Sequence, residues 1–178
     1  MKFEEALSYI KDQIHEILKN IEKNKIEKII ELFLNARNIF IYGAGRSGLV
    51  GRAFAIRLVH LGFPAFVIGE TITKPVGKND LVVLISGSGE TIPVAMTAEI
   101  ARRLGAKIIS ITANPDSHIA RFADLFVILK PKKKDAELAP LGTLFEASTW
   151  IFLDGIVAEL MARRGENENS MKKRHATL

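Results

Sequence analysis

Residues 81–91 read Leu-Val-Val-Leu-Ile-Ser-Gly-Ser-Gly-Glu-Thr, an unbroken apolar run followed by a loop of glycines and hydroxyl side chains. Five apolar residues in a row, with no polar alternation, predict a strand buried on both faces, as in a parallel sheet. Pro93 comes shortly after the loop, and proline is well tolerated in the first turn of a helix. The stretch therefore predicts a strand, a ligand-facing loop and a helix in direct succession.

The same order of elements occurs nearer the N-terminus. Residues 39–48 read Ile-Phe-Ile-Tyr-Gly-Ala-Gly-Arg-Ser-Gly, with a strand predicted at 39–42. Further apolar runs cover residues 65–68, 107–111 and 125–129, and helices are expected to begin near Ser47, Thr91, Pro115 and Thr143. Apolar strands alternating with helices predict an α/β fold whose parallel sheet is covered on both faces. Ligands of such sheets bind at the carboxyl ends of the strands.

Two amphipathic helices are predicted before the sheet. Apolar side chains recur at helical spacing within residues 3–21 and again within residues 26–34. We expect these apolar faces to pack on the domain or against a partner subunit. The chain is accordingly divided into N-terminal helices at 1–36, a ligand-binding α/β domain at 37–164 and a polar C-terminal tail at 165–178.

Composition excludes several kinds of site and partner. The 178 residues suit one domain, and the absence of cysteine excludes disulfides, thiolate nucleophiles and cysteine–zinc sites. The net charge is +5, but the basic clusters at 130–134 and 172–174 are short and lie near acidic residues. We therefore expect solvated surface and no nucleic-acid partner. No signal sequence or membrane-spanning run is visible, so we expect a cytoplasmic protein without a membrane partner.

The first loop, residues 43–48, leaves two kinds of ligand open. Its glycines allow a sharp turn, and the helix that follows presents unpaired N–H groups to an anion. The pattern G-x-G-x-x-G is also the dinucleotide fingerprint, for which Glu70 is a late candidate to hold a ribose. From this loop alone, a phosphorylated sugar and a dinucleotide are about equally well supported.

The second loop, residues 86–91, favours the sugar phosphate. Three hydroxyls and two glycines at a helix start place several neutral donors around one point, which suits a phosphate monoester. A purely structural alternative is that Ser86 and Ser88 shape a turn while Thr91 caps the helix. Glu90 would repel a phosphate, so we expect its side chain to point outward or toward a cation such as Arg46.

Several motifs together resemble a known family. They are Gly45-Arg46-Ser47-Gly48, Arg57-Leu58-Val59-His60-Leu61-Gly62, Gly69-Glu70-Thr71, the loop at 86–91, the segment 140–146 and Lys173-Arg174-His175. The pair of loops is similar to that of the sugar isomerase (SIS) domain family, and the wider set resembles its stand-alone 6-phospho-3-hexuloisomerases.

That resemblance implies fold, activity and assembly. It implies a three-layer, flavodoxin-like α/β/α sandwich with a five-stranded parallel sheet. It implies a homotetramer that interconverts 3-hexulose 6-phosphate and fructose 6-phosphate without a metal or other cofactor. The expected substrate-binding residues are Gly45, Ser47, Ser86, Gly87, Ser88, Gly89 and Thr91.

Glu146 is the candidate base for the proton transfer that such an isomerisation needs, and it matches the family's catalytic glutamate. A carboxylate on one side of a cis-enediolate can remove a proton from one carbon and return it to the next. The competing interpretation is structural, because Thr143-Leu144-Phe145-Glu146 has the pattern of a capping box.

Two of the four histidines are candidate catalytic groups. His175 lies in the motif at 173–175, and opening the sugar ring requires a second proton-transferring group beside Glu146. His60 lies about 20 Å along its helix from Ser47, so we expect it to act at a helix end or in a neighbouring subunit's site. No two histidines have ligand spacing, so no metal site is expected. We predict a homo-oligomer whose sites are completed by His175 or His60 of an adjacent chain.

Three alternative functions remain open at this point. A sugar-phosphate sensor is disfavoured because the N-terminal helices lack a clear DNA-recognition helix and a sensor has no need of Glu146. A nucleotide-dependent oxidoreductase rests on the first loop alone. An arabinose 5-phosphate isomerase is the alternative among enzymes, although that branch usually carries C-terminal regulatory domains.

Overall fold

The computed structural model describes residues 1–176; Thr177 and Leu178, the end of the predicted tail, lie outside the described residues. Its sheet consists of β1 (Ile39–Gly43), β2 (Ala65–Val67), β3 (Leu81–Ile85), β4 (Lys107–Thr112) and β5 (Leu125–Ile128). The strands lie in the order β2-β1-β3-β4-β5, and each neighbouring pair is parallel. The predicted five-stranded parallel sheet is confirmed.

Helices cover both faces of the sheet. They are α1 (Lys2–Leu18), α2 (Lys23–Asn35), α3 (Gly45–His60), α4 (Ile92–Arg103), α5 (His118–Phe122), α6 (Thr143–Arg163) and α7 (Glu168–Lys172). One core cluster joins α1, α2, α3 and α6 to one face of the sheet. The other joins α4 and α5 to the opposite face. The predicted three-layer α/β/α sandwich is therefore confirmed.

Helix α2 buries its apolar face within its own chain, whereas α1 buries only Ile17 fully. Ile29, Ile30 and Phe33 of α2 are each only 1% exposed and belong to the core cluster that contains α6. Phe3 and Leu7, near the start of α1, remain exposed. The apolar face of α2 therefore supports the fold of the domain itself.

The polar C-terminal segment contains α7 and packs on the domain. Asn167 and Ser170 form a capping box at the start of this helix. Arg174 pairs with Glu166 at 2.9 Å and donates to the backbone oxygen of His60 at 3.1 Å. The described part of this segment is thus held at the carboxyl end of α3.

The order of the strands brings the two predicted loops together. The chain continues from β1 to β2 on one side and from β3 to β4 on the other, so the topological switch point lies between β1 and β3. Open α/β sheets bind ligands at such a point. Gly43, at the end of β1, is in register with Ile85, at the end of β3. The loops at 43–48 and 86–91 therefore leave the sheet side by side.

Candidate active site

The loop at 43–48 turns sharply and packs tightly. Gly45 has a φ of +56°, in the left-handed region that favours glycine. A Cβ at Gly48 would overlap the carbonyl oxygen of Gly43, so this glycine allows α3 to start directly against β1. Ser47 lies half-buried in the first turn of α3. The loop can therefore present backbone N–H groups and one hydroxyl at a single point.

The hydroxyls of the loop at 86–91 are partly engaged with the loop itself. Ser86 Oγ lies 3.0 Å from Thr91 Oγ1 and accepts a hydrogen bond from the amide of Gly89 at 3.1 Å. Ser88 Oγ accepts from the amide of Glu90 at 3.2 Å. Thr91 is the N-cap residue of α4, but its side chain makes no cap hydrogen bond. Ser86 and Ser88 thus shape the turn, whereas the proposed capping role of Thr91 is wrong.

Glu90 is not directed at Arg46. Its Oε1 atom accepts a hydrogen bond from the backbone amide of His118 at 2.8 Å, so the side chain faces the start of α5. The expectation of an Arg46 partner is therefore wrong. The cause is tertiary, because α5 follows the neighbouring strand β4 and places an unpaired amide beside this loop.

Glu146 does not form a capping box. The N-cap of α6 is Gly142, which has no side chain, and the Thr143 hydroxyl donates to the backbone oxygen of Pro140 at 2.6 Å. The Glu146 side chain, 13% exposed, instead has its Oε2 atom 2.5 Å from Nε of Arg46. The capping-box interpretation of Glu146 is thus wrong, and its carboxylate faces the loop at 43–48.

The start of α6 contacts both loops, through Glu146 on one side and Phe145 on the other. The ring of Phe145 packs directly over the Cα of Gly87, where a Cβ would come within 3.2 Å. Arg46, Thr143 and Glu146 line a cavity of about 410 Å³ between α3 and α6. The structure therefore brings Glu146 next to the start of α3, while the adjacent residue Phe145 contacts the loop at 86–91.

The two candidate histidines lie together, but away from the loops. Their rings stack with centroids 5.0 Å apart. They line a separate cavity of about 260 Å³ that shares Val50 and Trp150 with the cavity at Glu146. Burial, together with the nearby charges of His175 and Arg57, lowers the pKa of His60 below its ordinary value. Within one chain, Glu146 and this histidine pair thus occupy neighbouring cavities.

Residues 32–149 match the family model of the SIS domain. The chain belongs to the SIS domain family. A 3-hexulose-6-phosphate isomerase of Methanocaldococcus jannaschii is 44% identical over 156 residues, covering 88% of this chain and 85% of that protein. One of Bacillus subtilis is 35% identical, with complete coverage of both chains. These relatives confirm the predicted resemblance and the prediction that this SIS protein is an isomerase.

A solved structure supports the same assignment. A crystal structure from Methanococcus jannaschii, for which a 3-hexulose-6-phosphate isomerase function has been inferred, superimposes with a TM-score of 0.88. Its sequence is 40% identical, and the match covers 100% of this SIS protein and 99% of that chain. The likeness therefore extends over α1, α2 and the described C-terminal segment as well as the sheet.

Two residues that line the cavities of this SIS protein are not assigned to the site by the sequence pattern. Arg46 was considered only as a partner for Glu90, although a cation inside a glycine-rich loop was itself a signal. Trp150, 46% exposed, lines both cavities, and no local pattern marked it. Within residues 1–176, no three histidine or carboxylate side chains are placed to hold a metal ion, and no helix is long and apolar enough to cross a bilayer.

Proposed function

We propose that this SIS protein interconverts 3-hexulose 6-phosphate and fructose 6-phosphate. The observation that carries the proposal is the position of Glu146, which is largely buried and paired with Arg46 of the loop at 43–48, while the adjacent Phe145 packs on Gly87 of the loop at 86–91. The names of the relatives from Methanocaldococcus jannaschii and Bacillus subtilis supply the choice of sugar.

The phosphate of the substrate is bound between the two loops. Ser47 and the first turn of α3 contribute from one side, and Ser86, Ser88 and Thr91 contribute from the other. The starts of two helices, α3 and α4, point at this place and favour an anion. Gly45, where a Cβ would meet nothing within 4 Å, lets the backbone approach the phosphate oxygens closely, whereas Gly87 and Gly89 let the second loop pack against Phe145 and Ser117.

Glu146 moves the carbon-bound proton. Its carboxylate removes the proton from C2 of the 3-ketose, and the electron pair forms a cis-enediolate across C2 and C3. A proton passes from O2 to O3, and Glu146 returns its proton to C3, which leaves the carbonyl at C2. Arg46, beside the carboxylate, supplies positive charge where the enediolate develops.

The histidines assist ring opening from a neighbouring subunit. Ring opening of the furanose needs a proton at the ring oxygen and loss of one from the anomeric hydroxyl, and a histidine can exchange protons near neutral pH. Since His60 is about 20 Å along α3 from Ser47, the pair is too far from its own loops. A homo-oligomer, a tetramer by family resemblance, would bring the pair of one chain to the Glu146 of another.

The deciding experiment supplies 3-hexulose 6-phosphate and detects fructose 6-phosphate with a coupled assay. We expect turnover without added metal or nucleotide, and competition by inorganic phosphate. Ser47→Ala, Ser88→Ala and Thr91→Ala should each weaken substrate binding by about 1–3 kcal/mol, because each removes a hydrogen bond to a charged group. Turnover of arabinose 5-phosphate alone, or wild-type KM in all three variants, would contradict the proposal.

A further inference from the structure

Glu90 is an acidic residue in the middle of the loop that would bind a phosphate, where its charge opposes that of the ligand. Its carboxylate faces the amino end of α5 and accepts the amide hydrogen of His118 at 2.8 Å. The amide of Glu90 donates to Ser88 Oγ at 3.2 Å. Glu90 therefore links the backbone that carries Ser88 to the start of a different helix.

The backbone of the loop is also hydrogen-bonded to the segment that joins β4 to α5, residues 112–119. The carbonyl oxygen of Gly87 accepts hydrogen bonds from the amide of Ala113 at 3.0 Å and from the Thr112 hydroxyl at 3.2 Å. The carbonyl oxygen of Gly89 accepts one from the amide of Ile119 at 3.2 Å. The loop is thus held to this segment by several of its backbone carbonyl groups. Glu90 adds a hydrogen bond that a side chain of the loop makes to the segment.

There is no space between the loop and this segment. Gly89 has a φ of +69°, and a Cβ at this position would overlap the side chain of Ser117. Ser117 itself is fully buried. Because the backbones are in direct contact, the position of α5 determines the position of the loop.

We propose that Glu90 is a positioning residue that holds the loop at 86–91 in its phosphate-binding conformation by capping α5. The inference rests on the proposed function, which places the phosphate at this loop. Donor groups bind an anion best when they are already oriented, because no ordering of the loop then opposes binding. The hydrogen bond from the His118 amide to Glu90 fixes the part of the loop next to Ser88, which is an exposed residue.

Two substitutions can distinguish the effect of the Glu90 oxygen acceptor from the effect of its negative charge. Glutamine keeps an oxygen acceptor for the His118 amide and removes the negative charge beside the phosphate. Alanine removes both the acceptor and the charge. If the acceptor matters, alanine weakens phosphate binding although it removes a repulsive charge, whereas glutamine does not.

The test compares Glu90→Ala and Glu90→Gln with Asp116→Asn, a control that removes an exposed negative charge of the neighbouring segment. For each protein, kcat and KM are measured with 3-hexulose 6-phosphate, and the inhibition constant is measured with inorganic phosphate. Hydrogen exchange of the His118 amide, followed by NMR, reports the cap directly. Glu90 is exposed, so neither substitution at this position removes core packing.

For Glu90→Ala we expect the KM and the phosphate constant to rise about tenfold, with kcat within about twofold and faster exchange at His118. Glu90→Gln should keep both constants at or below the wild-type values and keep the amide protected, and Asp116→Asn should match the wild type. Wild-type constants in Glu90→Ala, or equal weakening in both Glu90 variants, would overturn the proposal. If the wild type binds phosphate but does not convert the sugar, the proposed function is wrong, and the phosphate constants and the exchange rates still decide the role of Glu90.

Discussion

At the scale of single residues, the pair of Glu146 and Arg46 combines a sheltered carboxylate with an exposed cation. The Glu146 side chain is 13% exposed, whereas that of Arg46 is 69% exposed. Because the Arg46 side chain is exposed to solvent, we expect the ion pair to contribute little to the free energy of unfolding. We therefore propose that Arg46 can exchange its carboxylate partner for an oxygen of a bound sugar.

Replacing Glu146 tests the base directly. Glu146→Gln keeps the size of the side chain and removes the basic oxygen, so kcat should fall by at least about 10²-fold while substrate affinity survives. The matched control is Glu159→Gln on the same helix, whose carboxylate pairs with Arg163 one turn away. Steady-state kinetics check both variants, and near-normal turnover in Glu146→Gln would exclude it as the base.

Asp80 is a buried carboxylate at the opposite end of the sheet. Burial alone would raise its pKa, but hydrogen bonds from Arg37, Asn38 and the amide of Gly77 outweigh this effect and hold the pKa below its ordinary value. The folded chain thus keeps Asp80 ionised where the unfolded chain has bound a proton. Its stabilisation is present above about pH 4 and is lost as the pH falls further.

Asp80→Asn should therefore lower the free energy of unfolding by about 2–3 kcal/mol at neutral pH. Its stability should also fall less than that of the wild type as the pH is lowered from about 4. Chemical denaturation across this range measures both effects, with Asp12→Asn on the exposed surface of α1 as the control. If the free energies of unfolding of Asp80→Asn and the wild type fall in parallel with pH, Asp80 is not responsible for the loss of stability in acid.

At the scale of elements, the unit of β1, the loop at 43–48 and α3 depends on close backbone packing. Gly48 touches the carbonyl oxygen of Gly43 closely enough that a methyl group would overlap it. Gly155, in α6, is also a helical glycine, but a Cβ there would have no neighbour within 4 Å. The two positions therefore separate the cost of crowding from the intrinsic helix preference of alanine.

Gly48→Ala should lower stability by about 1–3 kcal/mol and raise the KM, because the start of α3 must move away from β1. Gly155→Ala should raise stability by about 0.5–1 kcal/mol, since alanine favours the helix. Thermal unfolding and steady-state kinetics on both variants give the comparison. Equal stability changes of the same sign would show that the contact with Gly43 does not govern this turn.

At the scale of the whole molecule, α3 and α6 present an apolar surface that residues 1–176 leave uncovered. Its exposed side chains are Leu49, Ile56, Trp150 and Ile151. Arg46 and Glu146 lie in a cavity on this surface, and His60 and His175 lie in the adjacent one. A partner chain seated here would join the two groups of candidate catalytic residues, whereas the apolar face of α2 is already buried within its own chain.

Shared sites can be detected by mixing two inactive variants. Glu146→Gln and His175→Ala, unfolded together and refolded, should recover up to about a quarter of wild-type activity if each site combines residues of two chains. Trp150, the single tryptophan, should shift its emission to longer wavelength when dilution dissociates the oligomer. A mixture that stays inactive while both variants assemble would place the histidine within its own subunit, and full activity of His175→Ala alone would remove it from the mechanism.

The sequence by itself determined the local structure. The predominantly apolar runs located all five strands, because helices cover both faces of a parallel sheet and its strands are therefore mostly apolar. The glycine and hydroxyl pattern located both loops, and the motif at 140–146 pointed to Glu146 as a candidate. These features are readable because each depends on the conformation of a few consecutive residues.

Only the tertiary structure decided which of these groups meet. Arg46 and Glu146 are 100 residues apart in the chain, and their contact exists because α3 and α6 pack side by side. Glu90 accepts a hydrogen bond from the amide of His118 and does not pair with Arg46. The C-terminal segment packs on the end of α3. Such contacts are set by strand order and helix packing, which sum many weak interactions over the whole core, so no local pattern encodes them.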